Sequence, residues 1–197
     1  MTVRKVVKYG VPSLREKSKE VHKISKKIQI LVDDLYDTLY ATNGVGLAAP
    51  QIGENYRIFV IDVGTDPKTM NPITFINPKI IKKEGAVNSY EGCLSFPEAY
   101  TNVRRYKYVK VKALDIKGRP FVMEADEGSL LARCIQHEND HLDGILFIDH
   151  CRNRFEANKA LAEKGLPAVD EAKLIDEPEL EEEIQKNPQT TEEKKGD

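Results

Sequence analysis

The segment His137-Glu138-Asn139-Asp140-His141 constrains the fold more than any other, because its chemistry works only on a helix whose histidine face turns inward. Residues four apart on a helix lie one turn above each other, so two imidazoles there can converge on a single cation. Leu130, Leu131, Cys134 and Ile135 make the preceding two turns apolar, which points that face at the interior. A helix over 127–142 is predicted, ended by Gly144. Glu138 stands beside the histidine seam, where a carboxylate can take a proton from water and later return it to a leaving group. The plain alternative is two surface histidines near a solvated glutamate. With only 4 histidines in 197 residues, such spacing rarely arises by chance.

Two protein ligands do not complete a catalytic metal site, which usually takes three and leaves one position for water. One class of metalloprotease continues the motif to a third histidine; Gly144 falls in the right place for it, but Phe147 occupies the ligand position, which excludes that class. A second class uses a downstream glutamate, and Glu156 or Glu163 would serve if the following helix folds back. The remaining choice is a thiolate. Cys134 shares the histidine face but precedes His141 by seven residues, about 10.5 Å of helical rise, so it reads as a small apolar wall residue. Cys151 has no useful partner spacing. Cys93 sits in Tyr90-Glu91-Gly92-Cys93-Leu94-Ser95-Phe96-Pro97, read as a loop in which Gly92 lets the backbone approach an ion and Pro97 ends strand pairing. It is the best third ligand, although a lone loop cysteine is commonly just packed.

The stretch Asn43 to Gly53 is rich in small residues, yet no Lys-Ser or Lys-Thr follows it and no strand precedes it, which disfavours a nucleotide loop. Small side chains also let an extended peptide lie against the backbone and exchange main-chain hydrogen bonds with it. Gln51 adds an amide donor that could steady an oxyanion, a feature that a simple tight turn would not explain.

Around these segments, Ile24, Ile28, Leu31, Leu35 and Leu39 recur at helical spacing and predict a helix over 25–41. Strands are expected over 57–63, 75–82, 108–115 and 120–124, with Lys117-Gly118 as a hairpin turn, and a third helix over 152–163. No strand-helix-strand rhythm repeats. The fold class is therefore α+β: short mixed or antiparallel sheets packed around a central metal-binding helix, with a C-terminal helix.

Charge divides the chain. Residues 166–197 hold 11 acids and 4 lysines, leaving 26 bases and 21 acids in the first 165. A catalytic unit over 1–165 is expected, followed by an acidic, mobile tail over 166–197 with a short helix over 178–186. The formal net charge of -2 excludes a strongly basic nucleic-acid coat and gives no reason to expect a specific nucleic-acid partner. No apolar run approaches the ~20 residues of a membrane span, and residues 1–10 lack the apolar core of a signal peptide, so a cytoplasmic location without membrane contact is expected. Three cysteines are too few for a disulfide scaffold. The stretch 65–71 reads either as a surface turn or as a loop closing over substrate.

Taken in order, Gly44 to Gln51, Glu91 to Ser95 and Gln136 to His141 resemble the three signature segments of the peptide deformylases, and the likeness runs over about residues 3–160. Ser95-Phe96-Pro97 and the helical C-terminal segment look like the family's type 1 branch. The resemblance implies one divalent metal ion per chain, held by Cys93, His137 and His141, with water as fourth ligand. Ferrous iron is implied in the cell, with zinc, nickel or cobalt accepted. It implies Glu138 as general acid and base, with the side-chain amide of Gln51 and the backbone N–H of Leu94 binding the formyl oxygen. Glu91 would be structural, paired with Arg105 or Arg104. Val45 and Gly46 would pair with the substrate backbone, and Leu130, Arg133, Cys134 and His137 would border a methionine pocket.

The implied reaction is hydrolysis of the N-formyl group from the formylmethionine of newly made proteins, releasing formate. Some relatives contact the ribosome through a basic C-terminal helix. Here residues 152–163 carry mixed charge and lead into the acidic tail, which argues against that docking mode. Two other readings stay open: a peptide-cleaving metalloprotease with a carboxylate ligand, and a non-enzymatic module whose closed site uses Cys93, Cys134, His137 and His141.

Overall fold

The computed structural model describes residues 2–64 and 70–175. Helix α1 spans Lys26–Ala41, with Ser25 as the extended residue before it, and buries Ile28, Leu31, Leu35 and Leu39 as the spacing predicts. Seven strands follow: β1 Gly46–Ala48, β2 Ile58–Ile61, β3 Ile73–Glu84, β4 Val87–Cys93, β5 Phe96–Arg105, β6 Tyr108–Leu114 and β7 Pro120–Ala125. Helix α2 spans Leu130–Leu142 and helix α3 Arg154–Glu163. One sheet runs β1-β2-β3-β6-β7 and a second is the β4-β5 hairpin; every strand pair in both is antiparallel.

Strand periodicity decides where the helices pack. In β1 and β2, Leu47, Ile58 and Val60 point to one face and join Leu31, Leu35 and Leu39 of α1. Ala48, Phe59 and Ile61 point to the other and, with Phe75, Val109 and Val111, meet Ala132, Cys134 and Ile135 of α2. Each large apolar side chain removed from water here contributes roughly 1.5–3 kcal/mol. The result is a motif helix clamped on a sheet, with its histidine face turned toward the β4-β5 hairpin.

Several boundaries differ from the sequence reading. Helix α2 begins at Leu130 rather than 127 because Glu127 takes a left-handed backbone (φ 55°) and the Ser129 hydroxyl caps the helix by accepting from the Ala132 N–H at 3.2 Å. Helix α3 starts at Arg154, capped by Asn153. Gly144 is left-handed as expected (φ 71°), and a β-carbon there would strike the Arg15 carbonyl. The clearest correction concerns residues 90–97, read as a loop with Pro97 ending strand pairing. Cys93 instead ends β4, and Pro97 lies inside β5. The register slips between Gly92 and Cys93, and Pro97 sits exposed at that irregularity, where its missing N–H leaves no ladder bond unmade. Residues 46–48, within the stretch read only for its small residues, form the edge strand β1.

Residues 166–175 lie along the third apolar cluster, where Val169 is buried beside Leu161 and the Ile175 N–H donates to the Asp149 carbonyl at 2.9 Å. The rest of the acidic segment, including the helix expected over 178–186, and positions 65–69 of the 65–71 stretch lie outside the described residues. Among the described residues no helix is long and apolar enough to cross a membrane.

Candidate metal centre

Two elements deliver the candidate ligands. Helix α2 presents His137 and His141 one turn apart, their rings 5.1 Å between centroids, and the end of β4 brings Cys93 to them. The ligand atoms of Cys93, His137 and His141 all lie within 4.8 Å of one another, and Cys93 Sγ is 3.3 Å from His141 Nε2. Among the described residues this is the one cluster of three such groups so placed. Glu156 and Glu163 are exposed on α3 and lie outside it. So does Cys134, whose sulfur points at the Val45 carbonyl, 3.7 Å away. Burial pushes the Cys134 thiol well above its ordinary pKa, as befits an inert wall residue.

The donor set fits a first-row divalent cation. One thiol and two imidazoles are soft and borderline ligands that suit iron, zinc, cobalt or nickel rather than calcium or magnesium. Burial and the nearby His137 hold His141 well below its usual pKa, which keeps the ring neutral as a ligand must be. Burial opposes charge on His137 as well, but the Cys93 sulfur and the Glu91 carboxylate outweigh it and raise its pKa.

Behind the ligands runs a chain of buried ionic contacts. Glu91 Oε2 is 3.2 Å from His137 Nδ1, and Arg105 grips Glu91 through Nε and Nη2. Arg105 Nη1 also binds Asp140, which in turn lies 3.0 Å from His150 Nε2. Burial alone would raise both carboxyl pKa values. The Arg105 charge outweighs it and holds Glu91 far below the ordinary range and Asp140 at about 2. Of the two arginines considered for Glu91, Arg105 makes the contact. The link from Glu91 to His137 and the parts of Asp140 and His150 went unread in the sequence. Asp140 lies inside the motif and three residues past Glu91's partner histidine, which is the one signal that pointed to it.

Glu138 is 4% exposed, and its Oε2 has no hydrogen-bond partner among the described residues. Burial lifts its pKa to about 7 despite the opposing pull of His137 and Arg105. A buried carboxyl oxygen left unpaired is costly and is commonly explained by a ligand or water. β1 reaches the same spot: a β-carbon on Gly46 would lie 2.6 Å from both Glu138 Oε1 and Cys134 Sγ. The Gln51 side chain is locked by its Oε1, which accepts from the Ala48 N–H at 2.8 Å, so its Nε2 points at Cys93 Sγ and Ser95 Oγ, each 3.4 Å away. Leu94 follows Cys93 along the wall of an open cleft of about 650 Å³. Val45, Leu130, Arg133, Cys134 and His137 line a smaller cavity of about 190 Å³ beside it, together with Tyr90.

This constellation has known counterparts. Residues 3–156 match the family model described as polypeptide deformylase. The chain belongs to that family. It is 48% identical over 149 residues to peptide deformylase 1 of Clostridium acetobutylicum, covering 76% of this chain and 95% of that one. It is 46% identical over 147 residues to peptide deformylase 1 of Bacillus subtilis, covering 75% and 89%. The crystal structure of a peptide deformylase from Synechococcus elongatus in complex with actinonin superposes with a TM-score of 0.79 at 40% identity, covering 85% of this chain and 95% of that one. As a deformylase the chain is a hydrolase of protein biosynthesis that depends on a single metal ion and acts on formylmethionyl nascent peptides.

Proposed function

We propose that this deformylase takes the formyl group off the N-terminal methionine of new proteins with Glu138 as the proton carrier and Cys93, His137 and His141 as the metal-holding set. The observation that carries this reading is Glu138 itself: a buried carboxyl with an unpaired oxygen and a pKa near neutrality, one residue from His137. Cys93, His137 and His141 would hold a divalent cation, which when bound would supply Lewis acidity and a readily ionised water near neutral pH. Glu138 accepts the proton of the attacking water and returns it to the departing amine nitrogen. The Gln51 amide and the Leu94 N–H hold the formyl oxygen as negative charge grows on it. Atoms balance as amide plus water giving formate plus a free amino terminus.

Gly46 on the edge strand β1 and Val45 just before it receive the substrate backbone, since an edge offers unpaired main-chain groups. The methionine side chain takes the cavity bordered by Leu130, Arg133 and Cys134, with the Arg133 stem along its wall. Glu91 and Arg105 orient His137. Ferrous iron is the cellular metal in this reading, with zinc, nickel or cobalt able to replace it, because the ligand set does not separate these ions and supply does. We place the enzyme in the cytoplasm and take 1–165 as the catalytic unit, with 166–197 as an acidic appendage. The mixed charge of α3, with Arg154 and Lys159 against Glu156 and Glu163, offers RNA no continuous basic face, so docking on the ribosome through this helix is not part of this reading.

The test is turnover of a formyl-Met-Ala-Ser peptide by protein purified without oxygen. Glu138→Gln should lose about 10²-fold or more in kcat while keeping its metal; near-normal turnover would defeat the proton-carrier role.

A further inference from the structure

The long cleft that opens from the metal centre carries an uncompensated positive charge on one wall. The N-terminal segment forms that wall and is fixed by backbone bonds on both sides: the Arg4 N–H to Thr38 Oγ1 at 2.9 Å, the Val7 N–H to the Gln51 carbonyl at 2.7 Å and the Tyr9 N–H to the Ser95 carbonyl at 2.9 Å. Lys5 and Lys8 are thereby held over the cleft, both exposed, and Lys8 Nζ reaches to 3.4 Å from the Leu94 carbonyl.

The other charges at the mouth are already matched. Arg4 binds Asp34 and Glu54, and Glu98 on the facing wall is tied to Lys164 at 2.8 Å. Among the described residues neither Lys5 nor Lys8 forms an ion pair. In the proposed orientation a peptide anchored by its formylmethionine runs out along this cleft, which Val45, Cys93 and His137 line together with the two lysines. Its next residues then pass two ammonium groups, while the Glu98 carboxylate of the cleft is paired with Lys164.

We propose that Lys5 and Lys8 determine specificity beyond methionine, favouring nascent chains with aspartate or glutamate at the second to fourth positions and disfavouring lysine and arginine there. The inference rests on the substrate orientation of the preceding section. Both groups are solvated, so the preference is modest and salt-sensitive.

The experiment compares kcat/KM for end-capped formyl-Met peptides that differ only by Glu against Gln, walked through positions two to four. At about 20 mM salt the Glu peptide should be favoured about fivefold at one of these positions, falling toward unity at about 0.5 M salt. In Lys5→Gln/Lys8→Gln the same Glu-to-Gln ratio should fall toward unity at low salt as well; because a ratio is read, any change in basal rate cancels. A wild-type ratio near one at every position would overturn the inference, as would a ratio that survives the double substitution. Failure to turn over either peptide would instead overturn the hydrolase reading beneath it.

Discussion

Oε2 of Glu91 lies 3.2 Å from Nδ1 of His137, so a strand residue 46 positions away sets the orientation of a helix residue's ring. Partners of this kind fix the tautomer and raise the basicity of a ligating imidazole. Glu91→Gln keeps the shape but weakens the acceptor and leaves Arg105 short of a counter-charge. Metal affinity should fall by about 10- to 100-fold, measured by competition with a chelator of known affinity. Unchanged affinity would show that Glu91 serves packing alone.

Gly46 tests how tightly β1 and α2 are fitted. A methyl group there meets Glu138 Oε1 and Cys134 Sγ at 2.6 Å, and Glu138 belongs to a helix packed against the sheet. Gly46→Ala should cost about 1–3 kcal/mol through overpacking and should lower kcat as well, because Glu138 must shift. Urea denaturation and single-turnover kinetics read the two effects. Gly53→Ala is the control for kinetics: its φ is +83°, so it is strained, but nothing lies within 4 Å of the added carbon. Equal kinetic damage from both would count against a special role for Gly46.

Alkaline unfolding offers a test away from the metal. Tyr36 donates to or accepts from Thr74 Oγ1 at 2.9 Å, and burial pushes its phenol up to about 12, with Asp62 adding to the shift and the Thr74 bond opposing it. The unfolded chain ionises tyrosine near pH ~10. The raised folded pKa therefore contributes stability that is complete below about pH 10 and is lost as pH rises toward 12. Tyr36→Phe removes that dependence, so its stability should decline less steeply than wild type across this window, by on the order of 1 kcal/mol after allowance for solvent at the exposed ring edge. Parallel slopes in urea melts at stepped pH would refute the assignment.

What the sequence could and could not disclose follows from the range of the forces involved. Helices α1 and α2 were legible because their apolar spacing is local, and Gly144 and Lys117-Gly118 marked real chain reversals. The hairpin holding Cys93 was missed because its burial alternates without an apolar alternation to show it: Thr101 and Arg105 take buried positions of β5, while Tyr100, and Tyr90 on β4, stand exposed. The three-residue strand β1 was too short to carry a period. Cys93 was a choice among thiols until the fold brought it to His141. The Glu91-Arg105 pair was expected from the resemblance, but its link to His137 and its extension through Asp140 to His150 were hidden for the same reason, since the members come from β4, β5, α2 and the turn after α2. Glu138 showed from spacing alone, but its unpaired oxygen is a property of burial.

In the proposed centre one sulfur and two imidazole nitrogens hold the metal. X-ray absorption at the metal edge of protein purified without oxygen tests it most directly. The expected spectrum has a single sulfur scatterer at about 2.3 Å with two nitrogens of histidine type at about 2.0–2.1 Å, and loses the sulfur shell in Cys93→Ser. A shell without sulfur, or with two sulfurs, would contradict it.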